Sequence, residues 1–223
     1  VVADPNVDVV VELIGGIEPA RELIMLALQA GKPVVTGNKE LLANHGAELY
    51  ATAAANGVDL LFEAAVAGGI PLIRPLRESL VGEDVVRVMG IVNGTTNYIL
   101  SQMAQHGAAY TDALTDAQQL GYAEADPTAD VEGFDAGAKA AIIASIAFGA
   151  SVVAGDVYHE GISSITPTDI EMAKRLDYVI KAVAVIEGDT TGETPEVAVR
   201  VHPAMIPATH PLANVNDSFN AVF

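Results

Sequence analysis

Lys139 is the only charged side chain in the twenty residues from Ala136 to Gly155. Ile142, Ile143 and Ile146 follow it by three, four and seven positions, so a helix here carries the ammonium on or beside its apolar face. Taking an isolated ammonium out of water costs on the order of several kcal/mol unless it is paired or used. Asp135 stands four residues earlier, within reach on the same face. Upstream, Glu124, Asp126 and Asp130 lie in a loop broken by Pro127. A carboxylate-rich loop facing a half-buried lysine suits capture of an amino group and relay of a proton. An ordinary ion pair beside a solvated acidic loop would produce the same pattern.

Three further constellations carry polar chemistry. Thr36-Gly37-Asn38-Lys39 leads from a strand into a helix. Backbone amides there can hold an anionic or polar ligand, and Asn38 can equally serve as a helix cap. Glu63 through Gly68-Gly69-Ile70-Pro71 places a carboxylate before a glycine turn. Such a turn can gather carbonyl oxygens around a hard cation, or act as a hinge between domains. Asn93-Gly94-Thr95-Thr96-Asn97-Tyr98 offers hydroxyls and amides to a small polar substrate, and also reads as a helix cap.

These groups must be held by regular elements. Apolar runs at 8–14, 34–36 and 59–64 read as strands, with helices at 18–30 and 39–56 between them. Continuously apolar strands separated by helices imply a parallel sheet covered on both faces, which binds ligands at the carboxyl ends of its strands. Past residue 66 the pattern loosens. Helices are expected at 71–80, 98–106, 112–120, from Asp135 onward and at 169–178; strands are expected at 85–92, 179–187 and 196–204, the last two joined by a polar turn. A strand-first unit of this kind carries a Gly-rich phosphate turn after its first strand. Gly15-Gly16 is too short for one, and the chain closes on apolar Ala221-Val222-Phe223, so it reads as starting and stopping in mid-domain.

Composition narrows the classes. Hydrophobic residues make up 51% and charged residues 18%, enough to bury a core. Eleven basic against 29 acidic side chains give a formal charge of −18, which disfavours nucleic acid and anionic membrane as partners. With no cysteine, disulfides and thiolate catalysis are excluded, and a cytoplasmic location is expected. The five histidines are scattered without metal-ligand spacing, and no hydrolase or kinase motif occurs.

Taken in order, Glu12-Leu13-Ile14-Gly15-Gly16, Gly31 through Lys39, Glu63 through Pro71, Gly90 through Leu100, and Leu120 through Lys139 resemble homoserine dehydrogenases over nearly the whole chain. The resemblance implies reversible reduction of L-aspartate 4-semialdehyde to L-homoserine with NAD(P)H, in threonine, methionine and isoleucine synthesis. It implies a partial Rossmann-like parallel sheet over 1–66 and an α+β substrate-binding and dimerisation domain over 67–223. It casts Lys139 as the acid/base, oriented by Asp135, with Lys39 as the lysine between cofactor and substrate. Glu124, Asp130, Thr95 and Tyr122 become substrate residues, and Gly15, Thr36, Lys39 and Gly121 cofactor residues. Glu63 with the carbonyls of Val66, Gly68 and Ile70 matches a sodium site. A homodimer is expected.

Two rivals remain. Aspartate-semialdehyde dehydrogenase uses the same aldehyde but needs a cysteine nucleophile, which this chain lacks. A non-catalytic fragment serving only substrate binding and dimerisation is the alternative from another class.

Overall fold

A computed structural model describes residues 2–189 and 196–223. They divide into two compact units, Val1–Asp84 with Ala141–Asp156, and Val85–Ala140 with Val157–Phe223. No helix among them is long and apolar enough to cross a membrane.

The first unit is built on strands β1 (Val10–Glu12), β2 (Val34–Thr36) and β3 (Leu60–Leu61), linked by helices α1 (Ala20–Gln29) and α2 (Lys39–Asn56). The strands form a parallel sheet in the order β1-β2-β3. Helix α1 buries Ala20, Ile24, Ala27 and Leu28, a stripe at helical spacing. Helix α2 begins on an Asn38 cap and ends at left-handed Gly57.

Among the described residues the two helices cover one face of the sheet. Val11, Val35 and Leu61 are in register and 61%, 36% and 47% exposed, whereas Val34 and Leu60 are buried. Successive right-handed crossovers running in one direction place both helices on the same side. Strand β1 is shorter than expected because Glu12 folds back onto the Ile14 and Gly15 amides, and Gly15 and Gly16 then turn with positive φ. Strand β3 stops at a 3-10 turn, Glu63–Ala65. In place of a regular helix at 71–80, a wide π-turn spans Pro75–Ser79, where Pro75 has no amide to donate.

The second unit contains β4 (Arg87–Ile91), α3 (Gly94–His106), α4 (Tyr110–Gln119) and α5 (Thr128–Val131). Helix α6 (Phe134–Phe148), of which this unit holds the first half, β5 (Tyr158–His159), α7 (Pro167–Arg175), β6 (Tyr178–Asp189), β7 (Glu196–Pro207) and β8 (Ala221–Val222) follow. The strands form a mixed sheet in the order β5-β7-β6-β4-β8, dominated by a twelve-residue antiparallel ladder between β6 and β7. The polar turn expected between these two strands falls at 190–195, outside the described residues.

Alternation along β6 divides the core. Ile180 packs with Ile99, Leu100, Met103, Ala117 and Ile170 of the helices. Val183 and Val185 pack with Ile91, Ile206 and Leu212 in a second cluster. Helix α3 starts four residues before the expected Tyr98 because Asn93 accepts the Thr96 amide at 2.8 Å. Helix α7 starts early for a similar reason: Thr166 and Asp169 form a reciprocal capping box with Pro167 at the first helical position.

The segment before β8 lies hard against the start of α3. A Cβ on Gly94 would stand 2.6 Å from the Ser218 carbonyl oxygen, a backbone atom that cannot swing aside. Gly94→Ala is expected to cost about 1–3 kcal/mol by overpacking. Gly82→Ala, with nothing near its Cβ, should stay within about 0.5 kcal/mol. Denaturant midpoints of the two variants check this; equal midpoints would contradict the close approach.

Candidate active site

In the second unit, four elements deliver polar side chains to one place. Asn93 follows the end of β4 by two residues and caps α3, α3 carries Thr95 in its first turn, α5 carries Asp130, and α6 carries Asp135 and Lys139 one turn apart. The Lys139 ammonium donates to Asp135 Oδ2 at 2.7 Å and to the Val92 carbonyl at 2.9 Å. The side chains are 16% and 8% exposed, so the pair is largely withdrawn from water. An ammonium has three donors; two find acceptors among the described residues, which leaves the third for a ligand oxygen.

Asn93 holds the carboxylates in position. Its side-chain amide donates to Asp130 Oδ1 at 2.7 Å and to Asp135 Oδ2 at 2.9 Å, using both N–H groups. Its carbonyl accepts the Thr96 amide. Thr95 donates its hydroxyl to the Tyr122 carbonyl at 2.6 Å and lies 3.4 Å from Asp130 Oδ2. Tyr122 packs its ring on Tyr98 with centroids 5.0 Å apart. Gly121 turns with positive φ to end α4, donating its amide to the Gln118 carbonyl. Glu124 is exposed, and its backbone carbonyl accepts from Gln118.

The structure therefore gathers Thr95, Tyr122, Asp130, Asp135 and Lys139 around Asn93. In the sequence Asn93 stands out only as part of a polar turn. Its bridging role spans 37 and 42 residues and has no local signature. Asp130 and Asp135 bring two carboxylates to one place, which favours a ligand bearing a cation. The spare Lys139 donor favours a ligand oxygen that gains negative charge during reaction.

In the first unit, Glu12 is buried and accepts from Ile14, Gly15 and the Thr36 hydroxyl, the last at 2.6 Å. Thr36 in turn accepts the Asn38 amide, and Asn38 donates its side-chain amide to the Gly16 carbonyl. This network ties the carboxyl ends of β1 and β2 together and commits the Thr36 hydroxyl to protein. Gly15 and Gly16 stand open, with nothing within 4 Å of an added Cβ, and Leu13 and Ile14 are exposed beside them. Lys39 is exposed at the first position of α2. Open backbone beside apolar side chains at a parallel strand end fits a flat cofactor ring. The sequence signal for Glu12 is a charge at the end of an apolar strand, which does not by itself mark a site residue.

Glu63 accepts backbone amides from Leu72, Ile73 and Arg74 at 2.5, 2.8 and 2.8 Å. Burial alone would raise its pKa; the three amides and Arg74 outweigh that and hold it below the ordinary glutamate value.

Two family models cover the chain. One described as homoserine dehydrogenase matches residues 71–223, and one described as homoserine dehydrogenase, NAD binding domain, matches residues 1–63. A homoserine dehydrogenase of Corynebacterium glutamicum is 58% identical over 219 residues, 98% of this chain and 49% of the relative. One of Mycobacterium tuberculosis is 59% identical over 222 residues, 99% of this chain and 50% of the relative. The crystal structure of a homoserine dehydrogenase from Thiobacillus denitrificans superposes with a TM-score of 0.94 at 51% identity, over 100% of this chain and 51% of that one. A hyperthermophilic archaeal homoserine dehydrogenase in complex with NADPH superposes with a TM-score of 0.82 at 31% identity, over 96% of this chain and 60% of that one. The chain spans about half the length of the curated relatives it matches.

Because the folded pKa of Glu63 lies below its unfolded value of 4.5, its contribution to stability is complete above about pH 4.5. It is lost as pH falls through the folded value. Glu63→Gln should therefore lower the melting temperature near neutral pH and flatten its decline below pH 4.5; an unchanged profile would contradict the anchoring of 72–74 by this carboxylate.

Asn93→Ala removes two charge-assisted hydrogen bonds, each worth roughly 1.5–3 kcal/mol, and should lower kcat/KM for NAD(P)H-dependent aldehyde reduction by about tenfold to a hundredfold. Retention of full activity would show that the two carboxylates keep their places without it.

Proposed function

Since the chain belongs to the homoserine dehydrogenase family, we propose that it catalyses the NAD(P)(H)-dependent interconversion of L-aspartate 4-semialdehyde and L-homoserine. The observation that carries the proposal is the Lys139 ammonium, fixed by Asp135 and the Val92 carbonyl with one donor unspent. Residues 1–66 are assigned to cofactor binding and 67–223 to substrate binding and dimerisation, a division supported by the bounds of the two family matches. When bound, the nicotinamide supplies hydride to the aldehyde carbon.

The remaining steps belong to the chain's own residues. Asp130 and Glu124 take the substrate ammonium, with Thr95 and Tyr122 shaping the pocket wall. As the carbonyl π pair moves onto oxygen, Lys139 donates its proton there and stabilises the developing charge. Asp135 keeps the ammonium aimed and, in the reverse direction, favours its reprotonated form. Gly15, Thr36, Lys39 and Gly121 are assigned to the cofactor, Thr36 through its backbone because its hydroxyl is committed to Glu12.

A sodium ion is proposed at Glu63 with the carbonyls of Val66, Gly68 and Ile70. The donor set is all oxygen, as a hard cation requires. Among the described residues no backbone amide donates to those three carbonyls. With three amides on Glu63, roughly one of its four acceptor directions is left.

A homodimer and a cytoplasmic location complete the proposal. Exposed Met172, Leu176 and Met205 in the second unit supply apolar surface for a subunit contact. The rival role as a non-catalytic module is not favoured, because the relatives are described as dehydrogenases.

The test is NAD(P)H oxidation with L-aspartate 4-semialdehyde, in the full-length polypeptide carrying this chain. Lys139→Met should lower kcat by about a hundredfold or more while cofactor binding persists. Turnover at the wild-type rate would remove Lys139 from the chemistry and leave Lys39 as the proton donor to examine.

A further inference from the structure

Lys181 is the fourth of the twelve residues of β6 and is 1% exposed, among the largest fully buried side chains of the described residues. Its three donors go to Asn97 Oδ1 at 3.0 Å, the Val215 carbonyl at 2.5 Å and Asn216 Oδ1 at 3.3 Å. All three acceptors are neutral amide oxygens. Burial pushes the ammonium down to about 8, against the opposing pull of the Asp217 carboxylate. A methionine would fill the same space without the desolvation cost, so the charge is not there for packing.

What the ammonium joins is more telling. Asn97 sits one turn above Asn93 on α3, and its backbone amide donates to the Asn93 carbonyl. The Asn97 side-chain amide donates to the Val215 and Phe219 carbonyls at 3.1 and 3.0 Å. The segment 215–219 thus runs across the start of α3, held by Lys181 and Asn97 and pressed onto Gly94. The first turn of α3 is the one that presents Asn93 to Asp130 and Asp135.

We propose that Lys181 is a positioning residue for the catalytic lysine: together with Asn97 it pins the 215–219 segment across the first turn of α3, and so fixes the Asn93 amide that aligns Asp135 and Lys139. The effect on turnover rests on the dehydrogenase function proposed above; the pin itself does not.

The experiment compares Lys181→Met, Lys181→Gln and Asn97→Ala in the full-length polypeptide, by amide hydrogen exchange and by turnover of L-aspartate 4-semialdehyde. Lys181→Met and Asn97→Ala should each speed exchange over 215–222 by roughly tenfold or more. Both should lower kcat about fivefold or more with little change in the KM for NAD(P)H, as expected for loss of alignment and not of binding. Lys181→Gln, which keeps two donors, should recover part of both losses. Wild-type exchange and kcat in Lys181→Met, or a glutamine variant no better than methionine, overturns the proposal. If Lys181→Met does not fold, Asn97→Ala decides by the same two readouts. A wild-type enzyme inactive on the aldehyde would count against the proposed function, while the exchange result would still decide the pin.

Discussion

Two carboxylates meet on the two N–H groups of one side-chain amide. Asp130 and Asp135 would repel each other in a site this sheltered; Asn93 donates to both and makes their proximity tolerable. Lys139 pairs with Asp135 at the same Oδ2 that accepts from Asn93. Without the amide the two carboxylates lose their shared donor, and the Asp135 oxygen that holds Lys139 loses its tie to Asn93. The second unit is arranged so that this does not happen. Strand β4 leads to Asn93, the capped start of α3 holds its side-chain carbonyl, and α5 and α6 supply the acids from 37 and 42 residues further along the chain.

The first unit follows a parallel logic with different chemistry. Glu12 gathers the Ile14 and Gly15 amides and the Thr36 hydroxyl, and Asn38 closes the ring onto Gly16. A buried carboxylate thereby shapes a strand exit that would otherwise be only a pair of glycines. Both units fix the polar ends of their elements by networks that satisfy each buried group, which is the condition under which such networks rigidify a site.

Much of this was legible in the sequence. Helix α2 could be bounded at both ends because Asn38 and Gly57 are a cap and a left-handed stop, each a local signal. The Asp135–Lys139 pair was visible because a lone charge in an apolar helix asks for a partner four residues away. Strands fared less well at their ends: β1 stops where Glu12 turns back on its own chain, a contact that apolar patterning does not encode. The Asn93 bridge and the Glu12–Thr36 bond each join residues far apart in the chain, so neither spacing nor periodicity reports them. Lys181 is a different case. It too is a lone charge in an apolar run, the signal that exposed Lys139, but in a strand no partner stands at a predictable offset.

The central claim is that Asn93, Asp135 and Lys139 act as one unit. The most direct measurement is a double-mutant cycle on kcat/KM with Asn93→Ala and Asp135→Asn, using NAD(P)H and L-aspartate 4-semialdehyde. The account predicts that the double variant is scarcely slower than the slower single variant, because either change already frees the ammonium. Losses that multiply would mean that the two residues act separately, and would contradict it.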